Sequence, residues 1–299
     1  MSRQVVPLSA AAFIVALFIF VAQELIDDSM VQTQQLSADQ HDDWGYTPED
    51  GPNLWPLMFD GCDGRQQSPI NIVTRNVVPN PKGNVSALNF RWITLNSRQI
   101  TNTGHGIQVY RAAEHAMHRS RSQSEWLQVN GAFGVTDIGV LPAKPDPLYT
   151  PRQFAIKHFN FHKGSENTVD GLQYALEMHI VHADEDGHLA VLCIFFKQGN
   201  EDNAWLNQLG WKTNLPPPHR VSPIPGSVDL LDALPNSLNY ATYSGSLTTP
   251  PCTEGVMFFA FLQPVPISAD QVSPRSPRVP GVSQRTQPPD HMRCCWPEW

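Results

Sequence analysis

The sequence predicts a mainly β fold of the α+β class, and three observations carry that prediction. Four segments alternate or run apolar with β-branched and aromatic residues: "RQFAIKHFNFHK" (152–163), "LQYALEMHIVH" (172–182), "LAVLCIFFK" (189–197) and "GVMFFAFLQPV" (255–265). Half-buried and fully buried strands read this way. Charged residues are only 16% of the chain and prolines number 27, which disfavours long solvated helices. Finally, "ADEDGH" (183–188) carries Asp186-Gly187, the usual chemistry of a tight hairpin, so the second and third segments should be antiparallel neighbours.

The elements follow in chain order. Arg3 precedes an unbroken apolar stretch, "AAAFIVALFIFVA" (10–22). It is short for a membrane span, which needs roughly 18 apolar residues, and it suits a secretory signal core of roughly 7–15. Phe20 is bulky where a small residue is wanted before Ala22. Residues 1–22 are therefore read as a signal peptide or, alternatively, an uncleaved signal anchor; both place the folded part outside the cytosol. Residues 23–40 are polar without a period and read as a linker, 41–271 as one globular β-rich domain with a turn at Asn130-Gly131, and 272–299 as a Pro- and Ser-rich disordered tail. "NVS" places a glycosylation acceptor at Asn84.

The net charge of −8 offers no basic stripe for phosphates, which excludes nucleic acid as a partner. Nothing beyond the N-terminal anchor reading suggests membrane contact. Cys62 and Cys252 lie in motif-rich segments, Cys193 in an apolar run as a buried thiol, and Cys294 and Cys295 in the tail. An oxidising compartment permits a bridge, but one sequence does not fix which cysteines pair.

The chemistry concentrates in two strands. Alternate residues of a strand share a face, so His158, Asn160 and His162 line up, as do Glu177, His179 and Val181. A catalytic zinc takes three protein donors and leaves one position open for water. His162 and His179 supply two imidazoles, and acidic residues stand nearby to orient them.

Seven motifs occur in the order found in the α-class carbonic anhydrases: "DDWGYTPEDGPNLWP", "CDGRQQSPINI", "NTGHGIQV", "GSENTVDG", "YALEMHIVHAD", "LAVLCIFFK" and "YSGSLTTPPCTEGV". The chain resembles that family, in its extracellular form, from about Trp44 to Gln271. The resemblance implies one domain built around a large, mostly antiparallel twisted sheet. It also implies a zinc ion that lowers the pKa of its water to about 7, with CO2 and bicarbonate as substrates. Matched motif by motif, the ligand positions are Asn160, His162 and His179, with Glu177 orienting His179. Thr248 would orient the attacking oxygen through Glu166, Thr249 would steady the product, and His105 would relay the proton to solvent. Val181, Val191 and Leu247 would form the CO2 pocket, and Cys62 would be bridged to Cys252.

Several departures qualify that picture. The first ligand position holds an asparagine, and a neutral amide oxygen suits calcium better than zinc. His158, where a glutamine would support the missing ligand, is four residues from His162. Their α-carbons should be roughly 13 Å apart at about 3.3 Å per residue, too far to share an ion unless a bulge intervenes, and nothing in "KHFNFH" announces one. Asn167, Lys163 and Phe258 replace a histidine and two tryptophans, and the family's closing C-terminal strand is missing after "ISADQ". Two functions are compatible with this: a secreted enzyme of weakened activity, binding zinc at reduced affinity or not at all, or an inactive carbonic-anhydrase-related module with an extracellular protein or matrix partner.

Overall fold

All four apolar segments form strands. A computed structural model of the protein describes residues 44–78, 88–94, 98–103, 106–111, 134–138 and 152–272. Trp44 apart, these fall in one compact unit, Gly45–Trp299. Val272, read as the start of the tail, instead ends the last described helix; the signal or anchor, the linker, Asn84, His105, the turn at Asn130-Gly131 and the tail after Val272 lie outside the described residues.

The described strands are β1 (Asn71–Ile72), β2 (Asn89–Trp92), β3 (Arg98–Asn102), β4 (Ile107–Arg111), β5 (Gly134–Ile138), β6 (Arg152–Lys163), β7 (Thr168–Val169), β8 (Leu172–Gln173), β9 (Leu176–Ala183), β10 (Leu189–Gly199), β11 (Arg220–Pro223), β12 (Tyr240–Ser246), β13 (Glu254–Phe261) and β14 (Val265–Ser268). Eleven make one large sheet in the order β11-β3-β4-β6-β9-β10-β13-β12, with β14 beside β10 and the β2–β5 pair beside β6. Most of its pairs are antiparallel; β10 runs parallel to β13 and then to β14. Helices are short: α1 (Trp55–Met58), α2 (Ala204–Gln208) and α3 (Ala269–Val272).

Two of the predicted strands are interrupted. Leu172–Gln173 joins a separate small sheet with β1 and β7, and the large-sheet strand begins at Leu176. The fourth segment breaks at Leu262–Pro264, where proline has no N–H to give a ladder. The hairpin between β9 and β10 does form. Its closing pair is Ala183–Leu189, so five residues make the loop, with Gly187 at φ +89° where a side chain would be strained. The Asp184 carboxylate holds that loop by accepting from the N–H groups of Asp186 (3.1 Å) and His188 (2.8 Å).

Alternation in the central strands builds two cores, one on each face. Leu192, Ile194 and Phe196 of β10 join Phe159, Phe161, Met178 and Ile180 in the larger core, against Trp205 and Trp211. Val191, Cys193 and Phe195 point the other way, into a smaller cluster with Phe258 and Ala260. Because β10 is buried on both faces, its sequence is an unbroken apolar run. In β6 and β9 the second face carries histidines and a glutamate instead. His182 shows the ordinary use of a strand histidine: Nδ1–H donates to the Ile180 carbonyl (2.9 Å) and Nε2 accepts from Thr136 (2.9 Å), and burial holds its pKa down at about 4.

Candidate metal centre

Antiparallel pairing of β6 with β9 sets the register of the site. Asn160 stands opposite His179, His162 opposite Glu177, and His158 opposite Val181. The register shift in this pair falls between Ile156 and His158. The strand therefore does contain a bulge that the sequence did not announce, but it lies upstream of His158. The stretch from His158 to His162 remains regular, and His158 is not among the described three-donor groups around His162 and His179.

After Lys163 the chain turns back on itself. Gly164 takes φ +74°, a left-handed conformation suited to glycine, and its N–H donates to the Ala175 carbonyl (2.9 Å). The turn carries Glu166 under the strand it has just left. Its Oε1 lies 3.1 Å from His162 Nδ1 and its Oε2 lies 3.8 Å from His179 Nδ1. The two imidazole rings are 4.6 Å apart, centre to centre. Glu166, His162 and His179 are all buried.

Glu177 is fully buried and well satisfied. It accepts from His179 Nε2 (2.9 Å), the Asn167 N–H (2.9 Å) and Asn167 Nδ2 (2.8 Å). Holding Nε2 in this way turns His179 Nδ1 toward Glu166, the arrangement by which a carboxylate orients a ligating histidine. The sequence counts Asn167 as a loss, but here it is a hub. Its Oδ1 also accepts from the Ile70 N–H (3.0 Å) and the Tyr243 hydroxyl (2.7 Å). Asn167→Ala would strip partners from the buried Glu177 carboxylate and from the half-buried Ile70 N–H and Tyr243 hydroxyl, and we expect it to lower unfolding free energy by roughly 2–4 kcal/mol. A denaturant midpoint equal to that of the unmodified protein would refute this role.

Asn160 is half-buried, and its Nδ2 lies 2.6 Å from His162 Nε2. Its amide is thus spent on its neighbour. The electrostatics reflect a closely packed cluster. Burial, and then the His179 charge, push His162 well below its ordinary pKa. Burial also opposes protonation of His179, but the Glu177 and Glu166 carboxylates outweigh it and raise its pKa. For Glu166, burial dominates and pushes the pKa up to about 7; His179 and the Thr248 hydroxyl pull down and Glu177 pushes up. Thr248 is close enough to favour the charged form, yet neither Glu166 oxygen receives a hydrogen bond of good geometry.

The other sequence-predicted residues gather around this cluster. Val191 belongs to the smaller apolar core, with Val181 and Leu247 packed on it. Val181 and Val191 are partners across β9 and β10. The Thr248–Thr249 loop is closed by the Cys252 N–H on the Thr249 carbonyl (2.9 Å) and the Leu247 N–H on the Thr253 carbonyl (2.9 Å). Cys252 is bonded to Cys62, the pair the resemblance implied. Cys193 is free and buried. Its thiol faces Glu177, a contact the sequence did not reveal.

Two tyrosines were also missed. Tyr243 stacks on Phe258 (ring centres 4.7 Å, 7° between planes), and Phe258 in turn meets His179 edge-on. The Tyr46 phenol is pushed well above its ordinary pKa by burial and then by the Glu166 charge, which places it beside the cluster. Tyr46 and Glu166 are far apart in the chain, and Tyr243 reaches His179 only through Phe258, its partner on β13, so no local spacing could have announced either link to the cluster.

The donors fit a divalent cation of the zinc type. His162 Nδ1 and both Glu166 oxygens are buried without a hydrogen-bond partner, and with His179 they offer donor atoms within 4.8 Å of one another. Three buried polar atoms left unpaired at one point cost free energy that a bound cation would recover.

Comparison with known proteins agrees with the geometry. The family model described as eukaryotic-type carbonic anhydrase matches residues 50–280. A carbonic anhydrase of Klebsiella pneumoniae is 34% identical over 234 residues, which cover 77% of this chain and 80% of that protein. Human carbonic anhydrase 7 is 30% identical, covering 78% of this chain and 84% of that protein. Among solved structures, the α-carbonic anhydrase of Photobacterium profundum superposes with a TM-score of 0.63 at 28% identity, covering 82% of this chain and 96% of that one.

Proposed function

This chain belongs to the eukaryotic-type, α-class carbonic anhydrase family, and from that membership we propose that it catalyses zinc-dependent hydration of CO2 at a rate held down by Asn160. The observation that carries this reading is the Asn160–His162 contact of 2.6 Å, which commits the first ligand position to a neighbouring side chain. His162 and His179 would hold the ion, which when bound supplies an acidified water at near-neutral pH. The remaining work falls to the chain's own residues. Glu177 fixes the orientation and tautomer of His179. Thr248, against Glu166, sets the direction of the oxygen that attacks. Val181, Val191 and Leu247 offer an apolar wall suited to CO2, which has no net dipole to be solvated. Thr249 steadies the product, and His105 relays the proton.

Metal analysis with a hydration assay tests the reading. We expect protein purified without added metal to hold less than one zinc per chain and to hydrate CO2 far more slowly than its relatives. One zinc per chain with fast turnover overturns it. No zinc and no turnover from a folded chain would favour the second reading, an inactive module with a protein or matrix partner.

We also propose that the domain is secreted, or membrane-anchored with its domain outside the cell. The apolar stretch 10–22, the "NVS" acceptor and the Cys62–Cys252 bridge support this. Expression in eukaryotic cells should give glycosidase-sensitive material in the medium; membrane-bound product selects the anchor, and unglycosylated cytosolic protein refutes both.

A further inference from the structure

We propose that Glu166 is the third metal ligand of this protein, and that Asn160 has become the residue that orients His162. The proposal rests on the reading of the site as a zinc centre and changes its ligand set from three imidazoles to two imidazoles and a carboxylate. That set is a recognised one for catalytic zinc.

The geometry points there. With zinc–donor bonds of about 2.0–2.1 Å, neighbouring donors of a tetrahedral site stand about 3.3 Å apart. The Glu166 oxygens lie 3.1 Å from His162 Nδ1 and 3.8 Å from His179 Nδ1, which brackets that spacing without rearrangement. The atoms facing one another are also the ones without hydrogen-bond partners: His162 Nδ1 and both Glu166 oxygens. The far nitrogens of both rings are held. His179 Nε2 is fixed by Glu177 and His162 Nε2 by Asn160. A half-turn of the Asn160 amide presents its oxygen at this contact. That oxygen then accepts from His162 Nε2–H and leaves the Nδ1 lone pair for the ion. The two histidines become alike, each with a polar side chain behind it and Nδ1 turned toward Glu166. An anionic third donor also lowers the net charge of the site, which accords with slow hydration.

Zinc affinity measured by chelator competition tests this on the full chain. Glu166→Gln keeps size and shape, and we expect it to weaken zinc by about 100-fold or more and to alter the visible spectrum of the cobalt(II)-substituted protein. Thr248→Val, which removes the hydroxyl but no donor, should weaken zinc far less than Glu166→Gln does. In an Asn160→His background, where His162 can turn its Nε2 to an ion shared with position 160, Glu166→Gln should matter much less. Unchanged affinity and spectrum in Glu166→Gln overturn the proposal and leave the slow-hydration reading standing. If Glu166→Gln does not fold, zinc-edge X-ray absorption of the unmodified protein decides: two imidazoles plus oxygen support the proposal, three imidazoles overturn it. Failure of the unmodified chain to bind zinc at saturating metal also overturns it. Fast turnover with one zinc per chain would instead sink the slow-hydration reading, and the Glu166→Gln comparison would still report the ligand.

Discussion

Asn160→His is expected to raise zinc affinity by about 100-fold or more, with CO2 hydration rising in step. Losing a residue that merely orients a ligand costs about 10–100-fold in metal affinity, so restoring a donor should give at least the upper end of that range. Position 160 is well placed to accept it. It stands directly opposite His179 in the β6–β9 ladder, where facing Cβ atoms are about 4.5–5.5 Å apart. It shares a face with His162 two residues on and lies at its Nε2, so three imidazoles would converge from two adjacent strands once His162 presents Nε2 in place of Nδ1. Asn160 is only half-buried, which leaves space for a ring slightly larger than an amide. Glu166 would then be free to serve Thr248 alone. Zinc titration and stopped-flow hydration on the same preparation give both readouts. A variant that gains zinc but stays slow would move the fault elsewhere, to Lys163 or to Phe258 beside His179. Unchanged zinc affinity would refute the assignment of position 160 altogether.

What the sequence could reveal, and what it could not, divides along the range of the interactions. The face shared by His158, Asn160 and His162 was legible because a strand has a two-residue period, and Phe159 and Phe161 indeed fill the larger core on the opposite side. The unbroken apolar run of β10 was legible for the same reason, as a strand buried twice. Asn160 stood out because one amide interrupts a ligand pattern. The response of the surroundings was not legible. That Glu166 comes within reach of both histidines depends on the turn at Gly164, and the bulge near Lys157 depends on how β6 meets β9. Asn167 read as a missing histidine until its partners Ile70, Glu177 and Tyr243 were seen around it, two of them more than seventy residues away. Side-chain identity gives the donors; only the packed structure says which lone pairs remain unused.

Removing the Cys62–Cys252 bridge should be the most damaging change outside the metal centre. The cysteines are 190 residues apart, and the chain-entropy model assigns a loop of that length about 5 kcal/mol. Domains commonly have only about 5–15 kcal/mol in all, so the loss is a large share of the total. The native side of the balance acts in the same direction. Cys252 is held at φ +56°, a conformation that non-glycine residues leave when unrestrained. Around it, Gln67 Nε2 donates to the Gly61 and Cys252 carbonyls (3.0 and 3.3 Å) and to Glu254 (3.1 Å), while Ser68 and Ser246 exchange hydrogen bonds of 2.9 and 3.1 Å. These contacts tie the N-terminal segment to the loop bearing Thr248 and Thr249, and the bridge keeps their two sides together. Double replacement by serine, which leaves no stray thiol at either position, should therefore lower the denaturant midpoint sharply and loosen Thr248 relative to Glu166. Zinc affinity should change much less, since β6, β9 and the Gly164 turn carry the donors. Non-reducing peptide mapping must first show Cys62 linked to Cys252. A loss below about 1 kcal/mol would mean that the unbridged chain already holds these segments together, contrary to the chain-entropy account.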